Sequence, residues 1–132
     1  MPDITVMHIE EFESAHTPGV PDGVFRFAGK SLGVRAWGMN ALTLPPGWDR
    51  YPEHDHGDDG HEEVYVILRG AATLHVGPHR FELTQGTFTR VGPGERRKIV
   101  PGPEGVVFIA LGGTPGKPYQ PSWGRLATDD AR

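Results

Sequence analysis

Glycine and proline interrupt this chain so often that long helices are disfavoured over most of its length. The chain of 132 residues contains 19 glycines and 13 prolines, which is about twice their average share in globular proteins. They are spread along the sequence without a repeat, and short apolar stretches lie between them. Because these residues form tight turns and break helices, the pattern predicts an all-β sandwich or barrel of short strands.

The clearest strand signals begin after residue 31. We predict one or two strands within residues 34–44, and further strands at 63–69, 71–76, 79–83, 87–91, 97–100 and 106–111. Before them, we expect a short strand at 6–9, one helical turn within 10–15 and an edge strand at 24–27. The chain is then one domain, with an N-terminal arm that carries the edge strand (1–30), a barrel core (31–112) and a loop-rich tail (113–132). Tyr119 and Trp123 are the residues expected to pack this tail on the barrel.

The strand predicted at 63–69 alternates in a way that assigns its side chains to two faces. Glu63, Tyr65 and Ile67 share one face, because successive side chains of a strand point to opposite sides. The other face carries three aliphatic residues, at positions 64, 66 and 68. Since both faces are largely apolar, we expect this strand to be buried on both sides.

The composition excludes several classes of function. A net charge of −4 argues against binding to nucleic acids or to anionic membranes. No apolar run approaches the length of about 18 residues that a membrane span requires, and residues 1–3 do not resemble the start of a signal peptide. With no cysteine, the chain has neither disulfides nor thiolate ligands, so a metal must be held by nitrogen and oxygen. We expect a cytoplasmic protein.

The segment that carries chemistry contains two histidines followed by a carboxylate. His54 and His56 are two residues apart, so they face the same way on an extended strand, and Glu63 lies at the head of the next strand. Imidazole nitrogen and carboxylate oxygen together suit Fe, Mn, Ni or Zn. Glu62 is the alternative carboxylate, but it would face away from the barrel if Glu63 faces inward. His61 shares the face of Glu63 and is an optional further ligand, whereas a bulge of one residue would turn it outward.

These residues resemble the first motif of the cupin family, whose members are small jelly-roll β-barrels, also called double-stranded β-helices. The motif runs through Gly47, His54, His56, Glu63 and Gly70. The interval from Glu63 to Gly70 matches that of the family, and the interval from His56 to Glu63 is longer by two or three residues. A loop at residues 57–60 accommodates the insertion.

The family's second motif is only partly present. Gly86 and the Gly-Pro-Gly turn at 92–94 match it, but Arg97 stands where the family has a histidine ligand, and Pro101 stands in its asparagine position. Arg97 cannot bind a metal because it is permanently cationic. We interpret it either as a clamp for an anionic substrate at the barrel mouth or as a partner in a structural salt bridge.

The resemblance implies a cupin-type barrel that binds a divalent transition metal and a small molecule. The expected ligands are His54, His56 and Glu63, with Arg97, Tyr65 and Ile67 at the substrate pocket. The chain would then be a mononuclear-metal enzyme, dioxygenase- or isomerase-like, that acts on a small anionic metabolite. The alternative is a non-catalytic binding or sensing protein with an incomplete metal site. By analogy with many cupins, we also expect a homodimer.

Overall fold

The computed structural model describes residues 2–121, so the predicted anchor Trp123 lies outside the described part. Six strands account for most of its regular secondary structure. They are β1 (Phe25–Arg26), β2 (Gly38–Leu44), β3 (Glu62–Val76), β4 (His79–Thr84), β5 (Phe88–Val91) and β6 (Lys98–Gly113). A 3-10 helix, Ile9–Glu11, and a short α-helix, α1 (Ala28–Leu32), precede β2. The predicted all-β class is confirmed.

All six strands belong to one antiparallel sheet that folds over on itself. The order is β1-β2-β6-β3-β4, and β5 pairs with β3. β5 covers the N-terminal half of one edge of β3, from Glu63 opposite Val91 onward, and β4 covers the C-terminal half. β6 follows the other edge of β3 along nearly its whole length. β3 is therefore the central element, and what its inner face carries determines the interior.

β3 and β6 are long because each continues through a glycine where the sequence predicts a turn. Gly70 and Gly105 both have positive φ, +77° and +79°, and they meet where the register between the two strands shifts. A Cβ on Gly70 would lie 2.2 Å from the carbonyl oxygen of Gly105, so only glycine fits there. The expectation of separate strands at 63–69 and 71–76, and at 97–100 and 106–111, is corrected. They form two long strands bent by bulges.

The core lies on the inner face of β3, and the outer face is only partly covered. Tyr65 and Ile67 are buried, and the same face continues with Ala72 and Leu74 beyond the bend. On the outer face, Leu68 is 42% exposed, and Val64 and Val66 are half-buried. Burial of 63–69 on both sides was a wrong prediction, because no described layer of the protein covers this outer face fully. Phe81, Phe88 and Trp37 are exposed as well.

The ends of the described chain contact the barrel. β1 pairs with β2, and the predicted edge strand is thus present in shorter form, whereas residues 6–8 form no strand. The hydroxyl of Tyr119 would be 3.1 Å from a Cβ on Gly38, and its ring lies 6.0 Å from that of His61. Among residues 2–121, no helix has the length and hydrophobicity needed to cross a membrane.

Candidate metal centre

The two histidines of the first motif are held by backbone pairing with the second motif. His54 forms an isolated antiparallel bridge with Arg97, with N–H···O distances of 3.0 and 2.9 Å in the two directions. The amide of His56 donates to the carbonyl of Pro93 at 2.8 Å. Two segments distant in sequence are thereby joined side by side, and Arg97 is brought directly opposite His54.

Glu63 faces these histidines from the inner face of β3. It lies near the start of β3 between β5 and β6, and its side chain is fully buried. Its Oε1 is 3.5 Å from Nε2 of His54 and 3.7 Å from Nε2 of His56. These distances are long for hydrogen bonds, but they approach the separation of about 3.4 Å between two ligands of one tetrahedral metal at ordinary bond lengths. One ligand atom from each of the three residues fits within 4.8 Å.

The other ring nitrogen of each histidine is engaged by an acceptor. Nδ1 of His54 lies 3.1 Å from the carbonyl oxygen of Pro52, and Nδ1 of His56 lies 3.1 Å from a carboxylate oxygen of Asp59. Burial raises the pKa of Asp59, but hydrogen bonds from the His61 amide and the His56 ring outweigh this effect, so the pKa is lowered overall. The carboxylate is therefore ionised and accepts these hydrogen bonds. These hydrogen bonds assign the proton of each neutral imidazole to Nδ1. Each Nε2 then presents a lone pair toward Glu63.

Buried polar atoms without a hydrogen-bonding partner cluster at this point. Among residues 2–121 they include Nε2 of His54, Nε2 of His56 and Oε2 of Glu63. All three are acceptors, and buried acceptors without a donor are costly. A divalent cation accepts electron pairs from nitrogen and oxygen atoms of this kind, so the donor set fits the transition metal that the sequence predicts.

Arg97 occupies the interior beside Glu63. It is fully buried, and its guanidinium donates four hydrogen bonds: to Oε1 of Glu63 at 2.8 Å, to the Tyr65 hydroxyl at 3.2 Å, and to the carbonyls of Gly92 and Glu95. The carboxylate is thus paired within the protein. Burial raises the pKa of Glu63, but the two histidine rings close to Oε1 and the hydrogen bonds from Tyr65 and Arg97 outweigh it and hold the pKa well below its usual range.

This placement differs from the predicted clamp for a substrate anion. With no exposed surface and protein acceptors around it, the Arg97 guanidinium has no open face for a ligand. The contacts favour the other interpretation, a salt bridge, and its partner is Glu63. Arg90, by contrast, pairs with the alternative carboxylate Glu62 on the exposed outer face.

The remaining predicted residues take different positions around the centre. The Tyr65 hydroxyl donates to Oε1 of Glu63 and accepts from Arg97, so Tyr65 supports the carboxylate. Ile67 is part of the apolar core. His61 stacks on His56 with ring centroids 5.3 Å apart, and it forms a second possible ligand group with His56 and Asp59 instead of joining Glu63.

One residue near the centre has no signal in the sequence patterns used above. Tyr51 is buried, its ring packs edge-on against His54 and Phe108, and its hydroxyl has no hydrogen-bonding partner among the described residues. Burial raises the pKa of this hydroxyl well above its ordinary value, and the nearby Tyr65 and Glu63 add to the effect. Tyr51 therefore keeps its proton at neutral pH and can donate a hydrogen bond.

A surface groove of about 600 Å³ opens between β4 and β5, and it is distinct from the inner wall predicted from Tyr65 and Ile67. Its floor includes Leu74, Leu83 and Val91. Gly92 and Glu95, whose carbonyls hold Arg97, lie at its rim.

Comparisons with known proteins identify the fold. No family model matches the chain, and no curated protein matches it. Solved structures do. A cupin protein from Bacteroides fragilis is 21% identical with a TM-score of 0.67, and the match covers 96% of this chain and 98% of that one. A conserved protein with a double-stranded β-helix domain from Klebsiella pneumoniae is 16% identical with a TM-score of 0.65, covering 88% and 97%.

A third similar structure is described by an activity. It is a sugar phosphate isomerase from a cupin superfamily, from Silicibacter pomeroyi, 17% identical with a TM-score of 0.67, covering 82% of this chain and 74% of that one. At these identities the likeness shows the fold alone. The chain has the cupin fold, and the resemblance found in its sequence is confirmed at that level.

Proposed function

We propose that this protein binds one divalent transition-metal ion through His54, His56 and Glu63. Two observations together carry the proposal. Nε2 of His54 and Nε2 of His56 lie 3.5 and 3.7 Å from Oε1 of Glu63, and these nitrogens and Oε2 of Glu63 are buried without a donor among the described residues. The hydrogen bonds at both Nδ1 atoms support it, because they orient the rings and leave the Nε2 lone pairs available. Fe, Mn, Ni and Zn all remain candidates, since each accepts this mixture of ligands.

The bound metal would supply a Lewis acid with coordination positions left open by only three protein ligands. The residues around it have separate tasks. Asp59 and the Pro52 carbonyl orient the histidines, and Tyr65 with Arg97 holds one oxygen of Glu63. Tyr51 is the one neutral donor near the centre without an acceptor among the described residues, and we assign it to an oxygen atom of a small ligand.

The further proposal is that the protein is an enzyme, isomerase- or dioxygenase-like, that acts on a small oxygen-rich and anionic metabolite. The open metal positions and the proton-bearing Tyr51 support chemistry at an oxygen-bearing carbon. Because a protein of the same fold is described as a sugar phosphate isomerase, phosphorylated sugars belong in the first set of compounds to test, together with small carboxylic acids.

A non-catalytic binding or sensing role is the second candidate. The observation that favours it is Arg97, which is buried at the position where the family places a fourth ligand. A centre with three ligands and a fixed guanidinium suits reversible binding as well as it suits turnover.

Metal analysis tests the site. Protein without an affinity tag, purified without chelator, should contain roughly one transition-metal ion per chain, and His54→Ala combined with His56→Ala should remove it. The matched control is His16→Ala with His79→Ala, because both of these histidines are exposed. Retention of stoichiometric metal by the His54/His56 variant would show that the ion is bound elsewhere.

Activity measurements then separate the two candidates. The protein is loaded in turn with Fe(II), Mn(II), Ni(II) and Zn(II), and oxygen uptake and NMR-detected isomerisation are followed with small acids and sugar phosphates. Turnover that disappears in the His54/His56 variant supports an enzyme. Calorimetric binding of a compound that no metal form converts supports the sensing role.

Association as a homodimer, a cytoplasmic location and the lack of nucleic-acid binding stay predictions. Light scattering after size-exclusion chromatography tests the first of these, with a dimer mass as the expected result.

A further inference from the structure

We propose that Arg97 is a built-in cation that stabilises the metal-free centre and lowers its affinity for a divalent metal. This inference rests on the proposed metal site, and it concerns how strongly and how reversibly that site is filled. The Arg97 guanidinium lies 2.8 Å from Oε1 of Glu63, and both side chains are fully buried.

In the metal-free protein this buried pair has no net charge. Glu63 carries one negative charge and Arg97 one positive charge, and the two groups neutralise each other inside the protein. A buried carboxylate without a partner would be strongly destabilising. If residue 97 were uncharged, Glu63 would need a metal ion to neutralise it, and the fold would depend on that ion.

The guanidinium is too well held to move aside. It donates to the carbonyls of Gly92 and Glu95, the latter at 2.7 Å, and to the hydroxyl of Tyr65. The backbone of Arg97 is also paired with His54 in both directions. Arginine does not lose its proton in proteins, so this charge stays in place at any working pH.

A metal ion at the centre would share Glu63 with Arg97. Oε1 already accepts from Arg97 and Tyr65, whereas Oε2 has no partner among the described residues. The carboxylate can therefore serve both cations, one at each oxygen. The dication would nevertheless lie close to a permanent positive charge in an environment that screens little, and this repulsion reduces its affinity.

The consequence is a centre that can be empty or filled without loss of the fold. Such a site gains and releases metal according to the free concentration of the ion.

Zinc titration of variants at position 97 tests the proposal. The variants are Arg97→Met, which removes the charge and keeps apolar bulk, and Arg97→His, which adds a ligand. Arg96→Met is the matched control, since it removes the same charge from the adjacent residue, whose side chain is 61% exposed and pairs with Glu53. Zinc affinity is measured by competition with a chromophoric chelator, and thermal unfolding is recorded with EDTA and with zinc.

We expect both Arg97 variants to bind zinc at least about tenfold more tightly than the wild type. We also expect Arg97→Met to unfold at a lower temperature than the wild type in EDTA and to gain more stability from zinc. Arg96→Met should behave as the wild type does. If Arg97→Met is unfolded without zinc, adding Glu63→Gln should restore folding in EDTA by removing the unpaired charge.

A zinc affinity of folded Arg97→Met equal to or below that of the wild type would overturn the inference, and the proposed metal site would stand if the wild type binds zinc. If the wild type binds none but Arg97→Met does, the inference holds in its strongest form and the proposed function is wrong. If no variant binds zinc, both are wrong.

Discussion

The two halves of β3 use the same alternation of side chains to build two different interiors. Before the bend at Gly70, the inward positions include Glu63 and Tyr65, which belong to a network of charge and hydrogen bonds. After the bend, the inward positions are Ala72 and Leu74, which pack in the apolar core. One strand therefore passes from a polar centre to a hydrophobic one within a few residues.

The difference shows that burial has opposite requirements in the two halves. In the apolar half, stability follows from the volume that is filled and the area removed from water. In the polar half, each charged group is stable only while its partner is present. Substitutions in the first half should therefore change the free energy of unfolding mainly by altering charge, and substitutions in the second half mainly by creating cavities.

Among the substitutions proposed below, Glu63→Gln should cause the largest loss of stability, and this loss arises in the polar half. The substitution keeps the shape of the side chain but leaves the buried Arg97 without a counter-charge, and removing one partner of such a pair costs about 3–5 kcal/mol. We expect a value near the lower end, because the amide oxygen can still accept from Arg97. Urea unfolding in EDTA measures the loss of stability, and metal analysis should show that metal binding is lost as well.

Glu62→Gln is the control for that experiment. Glu62 is the next residue along the strand, but its pair with Arg90 lies on the exposed face, and surface pairs contribute about 1 kcal/mol or less. Equal losses in the two variants would mean that burial of the Glu63–Arg97 pair does not matter.

Leu74→Ala should affect the apolar half alone. Leu74 is 3% exposed and lies opposite Ile99 and Phe81 on the neighbouring strands. Truncation leaves a cavity and should cost about 3 kcal/mol, toward the lower part of the usual range because Leu74 also borders the open groove. Zinc affinity should stay at the wild-type value. A large change in zinc affinity would show that the two halves are coupled.

The sequence allows the grouping of His54, His56 and Glu63 to be predicted because the relevant geometry is local. The His-x-His spacing puts two rings on one side of an extended segment, and strand alternation turns Glu63 inward while Glu62 turns outward. The all-β class is predictable for a similar reason, since turns are marked by glycine and proline. The structure brings His54, His56 and Glu63 together as this reasoning expects.

Other features depend on contacts that no local pattern encodes. Arg97 reaches its partner Glu63 because a backbone bridge places Arg97 opposite His54. This bridge joins two segments that are far apart in the sequence and that only the complete fold brings together. Alternation also cannot show whether a second layer covers an apolar face, and the exposure of Leu68 was missed for that reason. The position of Tyr51 near the polar centre could not be predicted, because an aromatic residue before a loop is typical of any hydrophobic core.

Acid should weaken the polar half before the apolar half. Because the folded-state pKa of Glu63 is depressed, its contribution to stability is present above the unfolded-state pKa of about 4.3 and decreases as the pH falls below it. The slope from this one group is at most about 1.4 kcal/mol per pH unit. Urea midpoints of EDTA-treated protein between neutral pH and acid measure it. Leu74→Ala should keep the wild-type slope and Glu63→Gln should reduce it; an unchanged slope in Glu63→Gln would assign the acid sensitivity to other carboxylates such as Asp59.

The smallest expected effect distinguishes two buried tyrosines of the polar half. Tyr65→Phe removes a hydroxyl that bonds both Glu63 and Arg97, so it should cost about 1–3 kcal/mol. Tyr51→Phe removes a hydroxyl that bonds no described residue, so stability in EDTA should be unchanged or higher by about 1 kcal/mol or less. Thermal unfolding of both variants measures the contrast. A clear loss of stability in Tyr51→Phe would mean that this hydroxyl has a structural role, whereas unchanged stability with weaker binding of an oxygen-bearing ligand would identify it as a group kept for that ligand.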